Sequence, residues 1–340
     1  MPLSGAQPED RPARSHDPVE RLIAILAVDV QAVEMLIHDR LNSPVSIIPN
    51  VASYLIDAGG KRLRPLITLA AASLFGPVNE AARRLAAAVE FIHTATLLHD
   101  DVVDGSGLRR GKAAANAVWG NAASVLVGDF LFSRAFALMV DAGDLATLEV
   151  LSRTSGSIAE GEVMQLASVN DVDVPLERYL QIIEAKTAAL FSAAARVGAM
   201  AAGQTGAHAE ALASYGRALG LAFQLIDDAL DYGGRTSSLG KNIGDDFREG
   251  KLTLPVVFAL EHASPKDDVF WRRVMGGGAQ QDGDFEHALA LFQQHGAMER
   301  TLQAARDYAD TARLSLLHLP PSPVREALGD LADFVLERAY

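Results

Sequence analysis

Three aspartates, Asp100, Asp101 and Asp104, fall at i, i+1 and i+4 in the stretch Leu97 to Gly111, LLHDDVVDGSGLRRG, at the end of an apolar run. On a helix, positions i and i+4 lie about 40° apart around the axis and about 6 Å along it, so Asp100 and Asp104 face the same way. Carboxylates this close repel one another unless a cation lies between them. The chain has no cysteine and no paired histidine here, and an all-oxygen donor set suits a hard ion such as Mg²⁺, which keeps several waters and completes its shell with substrate phosphate. Leu225 to Gly234, LIDDALDYGG, repeats the arrangement with Asp227, Asp228 and Asp231. One such block reads as readily as a solvated helix end. Two blocks, each preceded by an apolar helix, read as two acidic walls that face one another across a bundle and bind a diphosphate through several Mg²⁺ ions.

The elements that must position these groups are helices. Ala- and Leu-rich periods fill the chain and alternating Val/Ile/Thr runs are nearly absent, which predicts an all-α protein. At 340 residues and 49% hydrophobic content, with no Pro/Gly/Ser-rich linker through the middle, the expectation is one large domain, a helical bundle around a central cavity. Residues 1–17 read as a flexible N-terminal tail and 18–340 as the domain. An amphipathic helix is expected from Pro18 to Leu41 and a second over residues 48–57, stopped by Gly59 and Gly60. Pro65 opens the next helix. The first acidic cluster ends a buried helix, 119–140 and 145–168 are further helices, and 214–230 carries the second cluster. Residues 265–284, polar and containing Gly276 to Gly278, read as a mobile surface connection. The segments 285–316 and 323–338 read as terminal helices.

The formal net charge of −13 opposes binding to nucleic acid or to anionic lipid. Without cysteine there is no disulfide framework or thiol nucleophile, which fits a cytoplasmic protein. No apolar run reaches the roughly 18 residues a membrane span needs, and the first residues lack the apolar core of a signal peptide.

GGKRLRP at Gly59 to Pro65, RRG at Arg109 to Gly111, Lys186 with Thr187, and GKNIGDD at Gly240 to Asp246 join the two acidic blocks in order. With these motifs the chain resembles the trans-polyprenyl diphosphate synthase family over roughly residues 20–340, and within it the bacterial long-chain members that make octaprenyl or decaprenyl side chains of quinones. The resemblance implies a prenyltransferase that condenses isopentenyl diphosphate head to tail with an allylic diphosphate, farnesyl or geranyl, using Mg²⁺. It makes Asp100, Asp101, Asp104, Lys186, Asp227, Asp228 and Lys241 the catalytic set, with Asp100, Asp104, Asp227, Asp228 and Asp231 as metal ligands. Lys61, Arg64, His93 and Arg110 would hold isopentenyl diphosphate, and Arg109, Lys186, Thr187, Gln224, Lys241 and Lys251 the allylic diphosphate. GEVMQL at Gly161 to Leu166 matches a segment near the cavity, with Gln165 a lining candidate. The resemblance also implies a homodimer, and a membrane-soluble product implies transient membrane contact at its release.

Ala95 and Thr96, five and four residues before Asp100, are expected to line the tunnel below the metal. Short-chain relatives place bulky aromatics there, and two small residues leave the tunnel open for a long chain. Val127, Phe130 and Phe132 are candidates for a deeper floor. His99 is given no ligand role. A shorter-chain synthase keeps the same motifs. A terpene cyclase would have no use for the second acidic block, and a non-catalytic subunit of a heteromeric synthase tends to lose one block. A di-iron bundle would need Glu-x-x-His pairs on two helices.

Overall fold

The structure, a computed structural model, describes residues 17–109, 111–233 and 243–337. Apart from one two-stranded hairpin, the described regular structure is helical. The helix bearing the first acidic cluster, Glu80–Val103, is capped by Asn79, whose side chain accepts from the amide of Ala82. Ala86, Ala87, Ala88, Val89, Phe91, Ile92, Ala95 and Leu98 on it are all fully buried, so it is apolar all round and forms the axis of the bundle. The helices Leu63–Ser73, Asn121–Ala142 and Ala189–Ala201 pack around it. The helix of the second cluster, Ala207–Gly233, lies between Ala189–Ala201 and Ala297–Ser315. Close packing of these rods depends on small residues at the crossings. At Gly198 any Cβ would collide with the carbonyl of Thr68 on the neighbouring helix, so only glycine lets the two backbones approach.

The expected N-terminal helix is two, Pro18–Ile25 and Ala27–Arg40, broken at Leu26 where ψ turns to 19°. Leu22, Leu26, Val33 and Ile37 still face the core on both pieces, because the break leaves the apolar stripe continuous. Asp17, placed at the end of the expected tail, caps the first piece by accepting from the amide of Val19 at 2.8 Å. Residues 1–16 lie outside the described residues. The helix Ile47–Ile56 ends as expected before Gly59 and Gly60, whose φ of +85° and +145° are accessible to glycine at little cost.

Two further expectations change. Residues 265–284 form a short helix, Pro265–Trp271, that runs on as a π-helical turn, Arg272–Gly276. Ser264 and Asp267 cap it reciprocally, and Trp271, Val274 and Met275 are fully buried, with Trp271 stacked 5.7 Å from Phe292. The apolar pairs at 270/271 and 274/275 anchor the segment despite its polar composition. The terminal run 285–316 is interrupted at Gly296, φ +60°, giving Asp284–His295 and Ala297–Ser315.

Asn121–Ala142 is long and apolar enough to cross a membrane by length and composition, the one such helix among the described residues. One face packs on Glu80–Val103, while Leu126 and Val140 on the other are about two-thirds exposed (67% and 64%).

Candidate active site

A cavity of about 720 Å³ opens between the two acidic helices, within the range of small-molecule sites. Both clusters reach it: Asp100 and Asp104 from one wall, Asp227 and Asp231 from the other. Lys61, Arg64, His93, Thr96, Arg109, Lys186, Thr187, Gln224, Asp228 and Lys251 line it as well, and so does Gln165. Leu97, Ile158, Ile183, Phe191 and Phe223 add an apolar part to the lining. The cavity thus joins charged and apolar lining in one chamber. Arg110 and Lys241 lie outside the described residues.

The carboxylates of the lining are met by cations of the chain. Lys251 Nζ stands 2.8 Å from both Asp104 and Glu249. Burial works against its charge, but these two carboxylates outweigh it and its pKa is raised. Lys186 Nζ bonds Glu162 at 2.8 Å and stands 3.7 Å from Asp100. Burial, together with the charge of Asp100, pushes Glu162 up to about 7 against the pull of Lys186. Arg64 donates to His93 Nε2 at 3.1 Å, which fixes that nitrogen as an acceptor, and its guanidinium lies over the Phe191 ring. Lys61 pairs with Asp17 at 3.1 Å and sits 3.9 Å above the Phe334 ring.

Two aspartates are held by other side chains of the chain. Asp101 is fully buried and faces away from the cavity, about 100° round the helix from Asp100. It receives Arg109 Nε at 2.7 Å and Nη2 at 2.6 Å, and so clasps the hairpin Leu108–Arg109 with Lys112–Ala113 that returns Arg109 to the cavity. Asp228 touches the cavity, but its carboxylate is occupied by the chain. It accepts from Tyr179 Oη, from Gln224 Nε2 at 2.9 Å and from the Leu254 amide at 3.4 Å. Gln224 in turn accepts from Thr187 at 2.8 Å, so the network also orients the residues expected to meet the allylic diphosphate. Asp227 and Asp231 line the cavity beside it, and Asp231 receives the Asp246 amide at 3.1 Å.

Burial, with the charge of Asp246, raises Asp228 to about 7 although its three donors pull the other way. In the unfolded chain an aspartate loses its proton near about 4. Between those values the folded state binds more protons than the unfolded one, so stability falls as pH rises through that window. The urea midpoint of the metal-free protein should decrease from pH 5 to pH 8, and Asp228→Asn should flatten that slope. An unchanged slope in the variant would mean that Asp228 is not the buried acid responsible.

The tunnel expectation splits. Thr96 lines the cavity and donates its hydroxyl to the His93 carbonyl at 2.7 Å, whereas Ala95 is fully buried in the core and is not part of this lining. Val127, Phe130 and Phe132 also do not line it. His99 meets the Val125 carbonyl at 3.2 Å and stands 3.5 Å from Asp129. Sequence reading missed Glu90, a buried carboxylate on the cavity wall within the apolar run AAAVEFI, along with Glu162, Tyr179 and Asp246. A charge inside an apolar helical run was the available signal for Glu90.

Among the described residues no three carboxylate, imidazole or thiol groups converge on one point. A resident Zn²⁺ would need such a set, whereas Mg²⁺ takes one or two carboxylates and fills its shell with water and phosphate. Paired carboxylates on opposite walls fit that second pattern.

The sequence model of a family described as polyprenyl synthetase matches residues 45–292. Octaprenyl diphosphate synthase of Escherichia coli is 47% identical over 320 residues, covering 94% of this chain and 99% of the relative. The crystal structure of a decaprenyl diphosphate synthase from Rhodobacter capsulatus superposes with a TM-score of 0.92 at 52% identity, covering 95% of this chain and 100% of that one. A polyprenyl synthase from Caulobacter crescentus complexed with calcium and isoprenyl diphosphate gives a TM-score of 0.91 at 55% identity, over 96% of this chain and all of that one.

Proposed function

This chain belongs to the polyprenyl synthetase family and is a prenyltransferase, and from that premise we propose how its cavity works. It is a long-chain trans-polyprenyl diphosphate synthase, extending a farnesyl or geranyl diphosphate primer with isopentenyl diphosphate to an octaprenyl or decaprenyl product for a quinone. The observation that carries this reading is the meeting of both acidic clusters, several cationic side chains and apolar residues in the lining of one cavity.

Asp100, Asp104, Asp227 and Asp231 would hold Mg²⁺, three ions by the family pattern. When bound, these ions neutralise charge that grows on the allylic diphosphate as its C–O bond breaks. Arg109, Lys186 and Lys251 add fixed positive charge around the same oxygens, and Thr187 and Gln224 supply neutral hydrogen bonds. Lys61, Arg64 and His93 hold the diphosphate of the second substrate with its double bond toward the allylic carbon. The apolar part of the lining, with Leu97, Phe191 and Phe223, keeps water from capturing the allylic cation. The isopentenyl π electrons form the new carbon–carbon bond, and the proton then lost from the adjacent carbon passes to the departed diphosphate. Both acidic walls face the cavity, which favours an active synthase over a partner subunit.

Incubation with farnesyl diphosphate, labelled isopentenyl diphosphate and Mg²⁺ tests the reaction: label should enter an acid-stable lipid and EDTA should stop it. Absence of incorporation with Mg²⁺ would refute it. The water-borne substrates fit a cytoplasmic enzyme, and its lipid product implies transient membrane contact.

The enzyme is also proposed to be a homodimer. Leu126 and Val140 on Asn121–Ala142 join Leu145, Val163 and Leu166 on the next helix, Leu145–Ala167, as strongly exposed apolar residues. Apolar side chains this exposed on two consecutive helices are the candidates for the dimer contact. Sedimentation should give the dimer mass, and Leu126→Glu with Val140→Glu should halve it; a wild-type monomer would exclude the assignment.

A further inference from the structure

The motif GEVMQL contributes more to the site than a lining glutamine. Lys186 does not lie on a regular α-helix but on the π-helical turn Glu184–Ala188, and such a turn pushes its residues outward from the helix path. That turn rests directly on Gly161 of the helix Leu145–Ala167. A Cβ at Gly161 would lie 2.9 Å from the Lys186 backbone nitrogen and 2.9 Å from the Ala185 Cβ, so a glycine is what lets the turn seat. The next residue, Glu162, reaches the ammonium of Lys186 at 2.8 Å, while Asp100 stands farther from it at 3.7 Å. Among the described residues, one cation therefore lies between two carboxylates, and the nearer one is not a proposed metal ligand.

We propose that Gly161 and Glu162 are positioning residues: Gly161 seats the π-turn, and Glu162 holds the Lys186 ammonium off Asp100, leaving that carboxylate available to the metal. The idea rests on the reading of the cavity as a metal–diphosphate site. An ammonium has three donors and seeks the nearest anions. Without Glu162, the closest remaining carboxylate is Asp100, and a direct Lys186–Asp100 pair competes with the metal for the same oxygens. With Glu162 in place, Lys186 is held at the cavity wall, from which it can turn to an arriving diphosphate. Groups that support metal ligands from outside the coordination shell commonly cost about 10–100-fold in metal affinity when removed.

The experiment is calorimetric titration of Mg²⁺ with inorganic diphosphate into the full-length resting enzyme, with thermal melts to monitor folding. Glu162→Ala should weaken binding about tenfold, and Glu162→Gln, which keeps a neutral acceptor for the ammonium, should weaken it less. In a Lys186→Ala background the Glu162→Ala change should cause no further loss, because the ammonium it restrains is gone. Gly161→Ala should weaken binding in the same direction with a lower melting temperature. Wild-type affinity in Glu162→Ala, or an equal loss with and without Lys186, would overturn the positioning role. Failure of the wild-type enzyme to bind Mg²⁺ and diphosphate would instead overturn the metal–diphosphate reading beneath it.

Discussion

Asp100→Ala and Asp227→Ala should each lower kcat by about a thousandfold or more while leaving the helical circular dichroism unchanged. Both carboxylates line the cavity, and the Asp100 side chain stands 3.7 Å from the Lys186 ammonium and beside the Glu162 carboxyl. Removing either one relieves like-charge repulsion within its cluster. Asp228→Ala should behave differently. It strips Tyr179, Gln224 and the Leu254 amide of their shared acceptor in a fully buried setting, and an unsatisfied buried donor costs about 1–3 kcal/mol. That variant should melt at a lower temperature as well as lose activity. Steady-state rates and melts on the three proteins separate the two kinds of aspartate. Activity close to wild type in Asp100→Ala or Asp227→Ala would remove those residues from the metal site.

Thr96→Phe should shift the product to a much shorter chain. Thr96 lines the cavity one helical turn, about 6 Å, below Asp100, so an aromatic ring there leaves room for only a short prenyl tail. Ala95→Phe carries a different expectation. Ala95 is fully buried in the core, and a phenyl ring there overpacks the bundle, typically at about 1–3 kcal/mol or more. It should depress the melting temperature without a matching change in product length. A long product from Thr96→Phe would mean that the tail leaves the metal end by another route.

The two acidic blocks and the helical periods were plain in the sequence because both depend on spacing along one chain. A DDxxD run states which residues can share a helix face, and the aspartates at the first and last positions of each run do reach the cavity. The spacing leaves open which way the middle aspartate turns, since that depends on neighbours distant in sequence. Asp101 is claimed by Arg109 from the hairpin, and Asp228 by Tyr179, 49 residues away. Glu162 escaped notice for the same reason, since its partner is 24 residues on. The π-helical turn at Lys186 has no pattern of its own and rests on a glycine of the helix beneath it. The helix Pro265–Trp271 was hidden by composition: its charged residues outnumber the few apolar ones that bury it.

The proposed architecture is one metal-dependent polar rim feeding one apolar tunnel long enough for a long chain. It is tested most directly by incubating the purified enzyme with farnesyl diphosphate, labelled isopentenyl diphosphate and Mg²⁺, then sizing the dephosphorylated products by reverse-phase chromatography. An octaprenyl or decaprenyl product is the expected result. A geranylgeranyl product would contradict the open tunnel while keeping the reaction, and no incorporation at all would contradict both.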